Sequence, residues 1–104
     1  MKEGVREILR YQFLNKIKAC PVVDRIILFG SRARGDNVAR ADIDLAILCP
    51  GATPQEWQQL LDIIDNADTL LKIDCLRLEQ ANQRLQESIA KEGVVLYAKR
   101  KATS

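Results

Sequence analysis

The apolar residues of this 104-residue chain follow two spacings, one helical and one extended, and these alternate along its length. That alternation restricts the fold more than any other feature, because helices repeat their faces every 3.6 residues and strands every two. Val5, Ile8, Leu9, Phe13 and Ile17 form a helical stripe, which predicts one helix over residues 2–18. Pro21 stops it, since the residue before a proline is pushed out of helical space. Arg25-Ile-Ile-Leu-Phe29 is a short apolar run that reads as a buried strand broken by Gly30. Residues 31–34 read as one or two helical turns ended by Gly35, followed by a polar loop over 36–40. A second strand is expected over 41–49, closed by Pro50-Gly51.

Thr53-Pro-Gln-Glu56 combines three helix-start signals: a capping hydroxyl, a proline for the first helical position, and a glutamate completing a capping box. Trp57, Leu60, Leu61 and Ile64 continue it as a core-facing stripe. A third strand is expected over about 71–78, then a helix over about 81–91 with Gly93 as its C-cap, and a last strand over 94–97. The tail KRKATS reads as frayed, its basic residues as solvated, with contact to RNA as the alternative. The order predicts a single small α/β (α+β) domain, with one mixed sheet of about four strands and helices packed mainly on one face.

Histidine is absent. This removes Ser–His–Asp and Cys–His catalysis and the common zinc sites, and leaves carboxylates, lysine, tyrosine, hydroxyls or a hard metal ion. Cys20, Cys49 and Cys75 form no CxxC pair and read as reduced core residues of a cytosolic protein. The N-terminal MKEGVREILRYQ lacks a signal peptide's apolar stretch, and no apolar run approaches ~18 residues, so no membrane span is expected. The net charge of +2 does not by itself imply nucleic acid.

The chemistry concentrates in two places. Asp42 and Asp44, in Ala-Asp-Ile-Asp-Leu, are expected on one face of the second strand, with Ile43 and Leu45 on the other. Two ionised carboxylates that close repel, and a divalent cation resolves the conflict; Mg2+ needs only one or two of them and takes its other ligands from water and phosphates. The alternative is a solvated edge face. Gly30-Ser31 sits where a strand ends and a helix begins, a place suited to phosphate, with Arg32 and Arg34 beside it to supply bidentate contacts. The alternative is an ordinary tight turn. Asp74 interrupts the apolar run Leu71-Leu-Lys-Ile-Asp-Cys-Leu; it reads as a third metal ligand, as a general base, or as an ion-pair partner of Lys72 or Arg77.

Gly30-Ser31, ten intervening residues, then Asp42-Ile43-Asp44 resembles the GS-x10-DxD signature of nucleotidyltransferases with the polymerase-beta-like fold. The wider stretch LFGSRARGDNVARADIDLAIL is similar to the minimal nucleotidyltransferases, the antitoxin halves of HEPN/MNT toxin–antitoxin pairs. This resemblance implies a triphosphate-binding turn at Gly30 and Ser31, metal ligands at Asp42 and Asp44, and a third carboxylate at Asp74. It implies two Mg2+ ions, ATP as donor, and AMP transfer to a tyrosine of a HEPN-domain ribonuclease toxin in a hetero-oligomeric complex in the cytoplasm. No direct nucleic-acid partner is expected. Ala41 stands where the family often has serine, which removes one hydroxyl near the site. An inactive toxin-binding module and an aminoglycoside-like adenylyltransferase are the alternatives.

Overall fold

A computed structural model describes residues 3–35 and 42–99 of the protein. The expected polar loop 36–40, Ala41, Lys2 and residues 100–104 of the tail lie outside them. The elements are α1 (Glu3–Leu9), α2 (Gln12–Lys18), β1 (Arg25–Phe29), α3 (Gly30–Arg34), β2 (Ile43–Leu48), α4 (Pro54–Asp65), β3 (Ile73–Arg77), a 3-10 turn at Leu78–Gln80, α5 (Gln83–Glu92) and β4 (Val94–Ala98).

The strands form one mixed sheet in the order β3-β2-β1-β4. β1 is antiparallel to β2 and to β4, while β2 and β3 run parallel. The main core covers one sheet face, where Ile26 and Leu28 of β1 and Ile43, Leu45 and Ile47 of β2 meet residues of α1, α2 and α4. On the other face Ile27, Ala46 and Ile89 form a smaller cluster under α5. Helices therefore cover mainly one face, as the alternating pattern predicts.

The single helix expected over 2–18 is instead two. Tyr11 is extended (φ −76°, ψ 139°) and divides them. Arg10 and Tyr11 donate only to the carbonyls three residues back, which closes the first helix. The carboxylate of Asp68 then accepts from the backbone N–H groups of Gln12 and Phe13 at 3.0 and 3.1 Å, supplying the cap of α2 from a distant loop. The stripe survives the break, since Val5, Ile8, Phe13 and Ile17 are all buried.

α4 starts as its local signals require. Thr53 Oγ1 accepts from Glu56 N at 3.1 Å and Glu56 Oε1 accepts from Thr53 N at 2.9 Å. β3 is shorter than expected because the chain turns into the 3-10 segment, where Arg77 Nη2 donates to the Cys49 and Ala52 carbonyls and Glu79 accepts from Cys49 N. Cys20, Cys49 and Cys75 carry free thiols. Burial pushes the Cys75 thiol up to about 12, with Cys49 adding to the shift, so it stays protonated at neutral pH. Among the described residues no helix is long and apolar enough to cross a membrane.

Gly93 caps α5 but not in the left-handed conformation expected of a C-terminal glycine: its φ is −74°. The glycine is required by crowding, because a Cβ there would lie 2.5 Å from Ile27 Cγ2 and 2.5 Å from the Ile89 carbonyl. Gly93→Ala is expected to cost about 1–3 kcal/mol by overpacking. Gly51→Ala, where a Cβ meets nothing within 4 Å, should stay within about 0.5 kcal/mol. Parallel urea titrations of the two variants measure the difference.

Candidate functional site

The site forms at the end of the sheet where β1 leaves and β2 enters. β1 passes directly into α3 at Gly30, whose φ of +76° is accessible to glycine at little cost. α3 ends at Gly35 (φ +82°), a left-handed cap whose N–H bonds the Arg32 carbonyl. Phe29 pairs with Asp44 across the β1–β2 ladder, so the turn lies against the Asp44 side chain. A Cβ on residue 30 would fall 2.3 Å from Asp44 Oδ2. The carboxylate thus occupies the space that glycine leaves open.

Asp74 is the register partner of Asp44 in the parallel β2–β3 ladder. Asp42 is exposed and lies just ahead of β2 rather than within the strand, where the sequence pattern put it. The charges of Asp42 and Asp74 both nevertheless act on Asp44. Burial raises the Asp44 carboxyl above the ordinary range, and the charges of Asp74 and Asp42 raise it further, against the opposing charges of Arg34 and Lys72. Asp44 thus feels the charges of two cations and two further carboxylates.

They are not closed into a ready-made cage. Among the described residues no set of three His, Cys, Asp or Glu side chains is grouped to hold a metal ion. Asp74 leans instead on Lys72, with Nζ 3.8 Å from Oδ1, one of the two ion pairs considered for it from sequence. The other candidate, Arg77, is engaged with Glu79. The donor chemistry still suits a hard cation: oxygen ligands on adjacent strands, the central one destabilised by like charge, of which Mg2+ needs only one or two.

The two arginines beside the turn diverge. Arg34 is exposed, lies 3.7 Å from Glu92 and projects its charge onto Asp44. Arg32, expected to contact phosphate, is 0% exposed, and its Nη1 donates to Glu7 Oε2 of α1 at 2.9 Å. Whereas the guanidinium of Arg34 is exposed, that of Arg32 is therefore buried against α1. Its hydrogen bond holds the Glu7 carboxyl below the usual range; burial opposes this, and a bond from Tyr11 Oη at 3.0 Å reinforces it.

Lys72 and Glu7 were not singled out as site residues from sequence. The Lys72-x-Asp74 alternation signals the first, since residues two apart in a strand share a face. Nothing local signals Glu7. A cleft of about 550 Å³ lies on the same sheet face farther from the turn, between the sheet and α5, lined by residues including Arg25, Ile27, Leu48 and Val95. It contains none of the carboxylates of the site, and the polar chemistry lies at the turn.

A strand–turn–helix thus faces acidic side chains carried by the adjoining strands. Residues 12–102 match the profile of the polymerase beta nucleotidyltransferase family. The chain belongs to that family. No curated protein matches it significantly. Among solved structures it is similar to a mutant of the MntA–HpeT toxin–antitoxin, at 23% identity and TM-score 0.62, covering 91% of this chain and 72% of that one. It is also similar to a toxin–antitoxin with AMP-PNP, at 24% identity and TM-score 0.60, covering 92% and 74%. A third is the tri-AMPylated Shewanella oneidensis HEPN toxin in complex with MNT antitoxin, at 22% identity and TM-score 0.54, covering 92% and 71%. These likenesses establish the shared fold.

Proposed function

We propose that this protein is an antitoxin that transfers AMP from ATP, with Mg2+, to a tyrosine hydroxyl of a partner HEPN-domain ribonuclease toxin and thereby neutralises it. The observation that carries this reading is the Asp44 carboxylate set against the Gly30 turn with Asp74 beside it in register. The similar structures support the partner and the nucleotide: one contains AMP-PNP and another a tri-AMPylated toxin with its antitoxin. We read the whole chain as one nucleotidyltransferase domain acting in the cytoplasm within a hetero-oligomer.

In this reading Gly30 lets the backbone approach the triphosphate and Ser31 donates its hydroxyl to it. Arg34 adds positive charge on the phosphate side. Asp42 and Asp44 would hold magnesium, with Asp74 on the acceptor side. Magnesium held there would supply neutralisation of the negative charge that develops during transfer. Asp74, which is half exposed, takes the acceptor proton in this reading. The acceptor oxygen then bonds to the alpha phosphorus as the bond to pyrophosphate breaks. Leu70, fully exposed on the loop leading into β3, offers an apolar contact to a macromolecular acceptor arriving at this edge.

The test mixes the protein with its HEPN-domain partner, ATP and Mg2+, and weighs the partner by mass spectrometry. One or more added AMP groups are expected. A binding-only antitoxin is the second reading, favoured by the absence, among the described residues, of a closed three-carboxylate cage. Tight association with no mass change would establish it instead.

A further inference from the structure

Arg32 follows Ser31 directly in α3, yet its side chain runs inward to α1 rather than outward to the turn. It is a charged group removed wholly from water. Glu7 answers that charge with one carboxylate oxygen and accepts the Tyr11 hydroxyl with the other. The family match begins at residue 12, so Glu7, Tyr11 and all of α1 lie outside it.

We infer that Glu7 is a positioning residue for nucleotide binding: from a helix outside the matched family domain it holds Arg32, and through Arg32 it sets α3 and the Gly30-Ser31 turn. The inference rests on the reading that this turn holds the triphosphate. α3 has five residues, too few to be stable alone, so tertiary contacts impose its placement. One such contact is Ala33, 2% exposed in the main core; another is the Arg32–Glu7 pair. Glu7 supplies a hydrogen-bonded counter-charge to a buried guanidinium, so a shift of Glu7 pulls on Arg32 and, through it, on α3. The Tyr11 bond fixes the rotation of the Glu7 carboxylate, which leaves the pair little freedom. Phosphate recognition by backbone N–H groups depends on placement, and small displacements are costly.

The experiment titrates the purified full chain with AMP-PNP and Mg2+ by calorimetry, alongside thermal unfolding. E7Q keeps the shape of Glu7 and loses its charge; its affinity is expected to fall at least about tenfold. Y11F removes only the hydroxyl and should weaken binding about threefold. I47V, which trims the core away from the turn, lowers the unfolding temperature and should leave affinity unchanged. Unchanged affinity in both E7Q and Y11F overturns the inference and leaves the nucleotide reading standing. An I47V loss equal to that of E7Q overturns it too, because binding would then track stability alone. Should E7Q fail to fold, Y11F decides on the same criterion. A wild type that does not bind the nucleotide removes the nucleotide reading, and the inference with it.

Discussion

Asp44→Asn is expected to abolish AMP transfer and, without ligand, to yield a more stable protein than the wild type. The activity loss should reach about a thousandfold, or roughly 4 kcal/mol of transition-state stabilisation, because the carboxylate proposed to hold the metal is removed. The stability gain follows from the same geometry. Asp44 is partly buried, faces Asp74 in register and feels Asp42, so ionising it in the folded state is unfavourable. Relieving like charges at paired positions is worth about 0.5–1 kcal/mol, or about 2–6 °C in a domain of this size. The pH dependence has a definite sign. A carboxyl raised on folding contributes full stability below its unfolded value and loses it as pH rises through the folded one. The gap between variant and wild type should therefore be open at neutral pH and close as pH falls toward about 4. Thermal melts in chelator across that range, with transfer assays at neutral pH, read both effects. Retained activity would sink the assignment of Asp44 to the metal.

Gly30→Ala should damage fold and chemistry together. The left-handed backbone at this position costs a residue with a Cβ about 1–2 kcal/mol. The added methyl would also stand 2.3 Å from Asp44 Oδ2, so the carboxylate or the turn must shift. A displacement near 1 Å is expected to reduce transfer about a hundredfold. Gly93→Ala separates the two effects. It is crowded as severely, but by Ile27 and Ile89 under α5 rather than by a carboxylate. It should lower stability while transfer, measured at a temperature where it stays folded, remains close to wild type. Equal activity losses in the two variants would show that Gly30 matters only for folding.

Features governed by neighbours in sequence were legible from the residues alone. The Thr53–Glu56 capping box forms reciprocally, and β1 runs over Arg25–Phe29 with the turn at Gly30 as the apolar run implies. Which strand lies beside β2 is not written in the residues, and the parallel pairing of β2 with β3 is what sets Asp74 against Asp44. What escaped the sequence depends on distant partners. The break at Tyr11 is made by Asp68, more than fifty positions along the chain. The inward course of Arg32 is set by Glu7 on a separate helix, and no periodicity within Gly30–Arg34 distinguishes it from the outward Arg34. Gly93 resembles a left-handed cap in sequence because crowding against Ile27 demands the same residue type.

The position of β1 between β2 and β4 has a consequence for how the protein comes off the ribosome. One side of β1 finds its ladder partner soon after synthesis, while the other waits for Val94–Ala98. Until those residues emerge, the strand that carries the Gly30 turn has an unpaired rim, which invites association between nascent chains. Closing so long a loop is slow compared with forming local helices. Catalytic competence should therefore appear late and all at once, when the final strand docks.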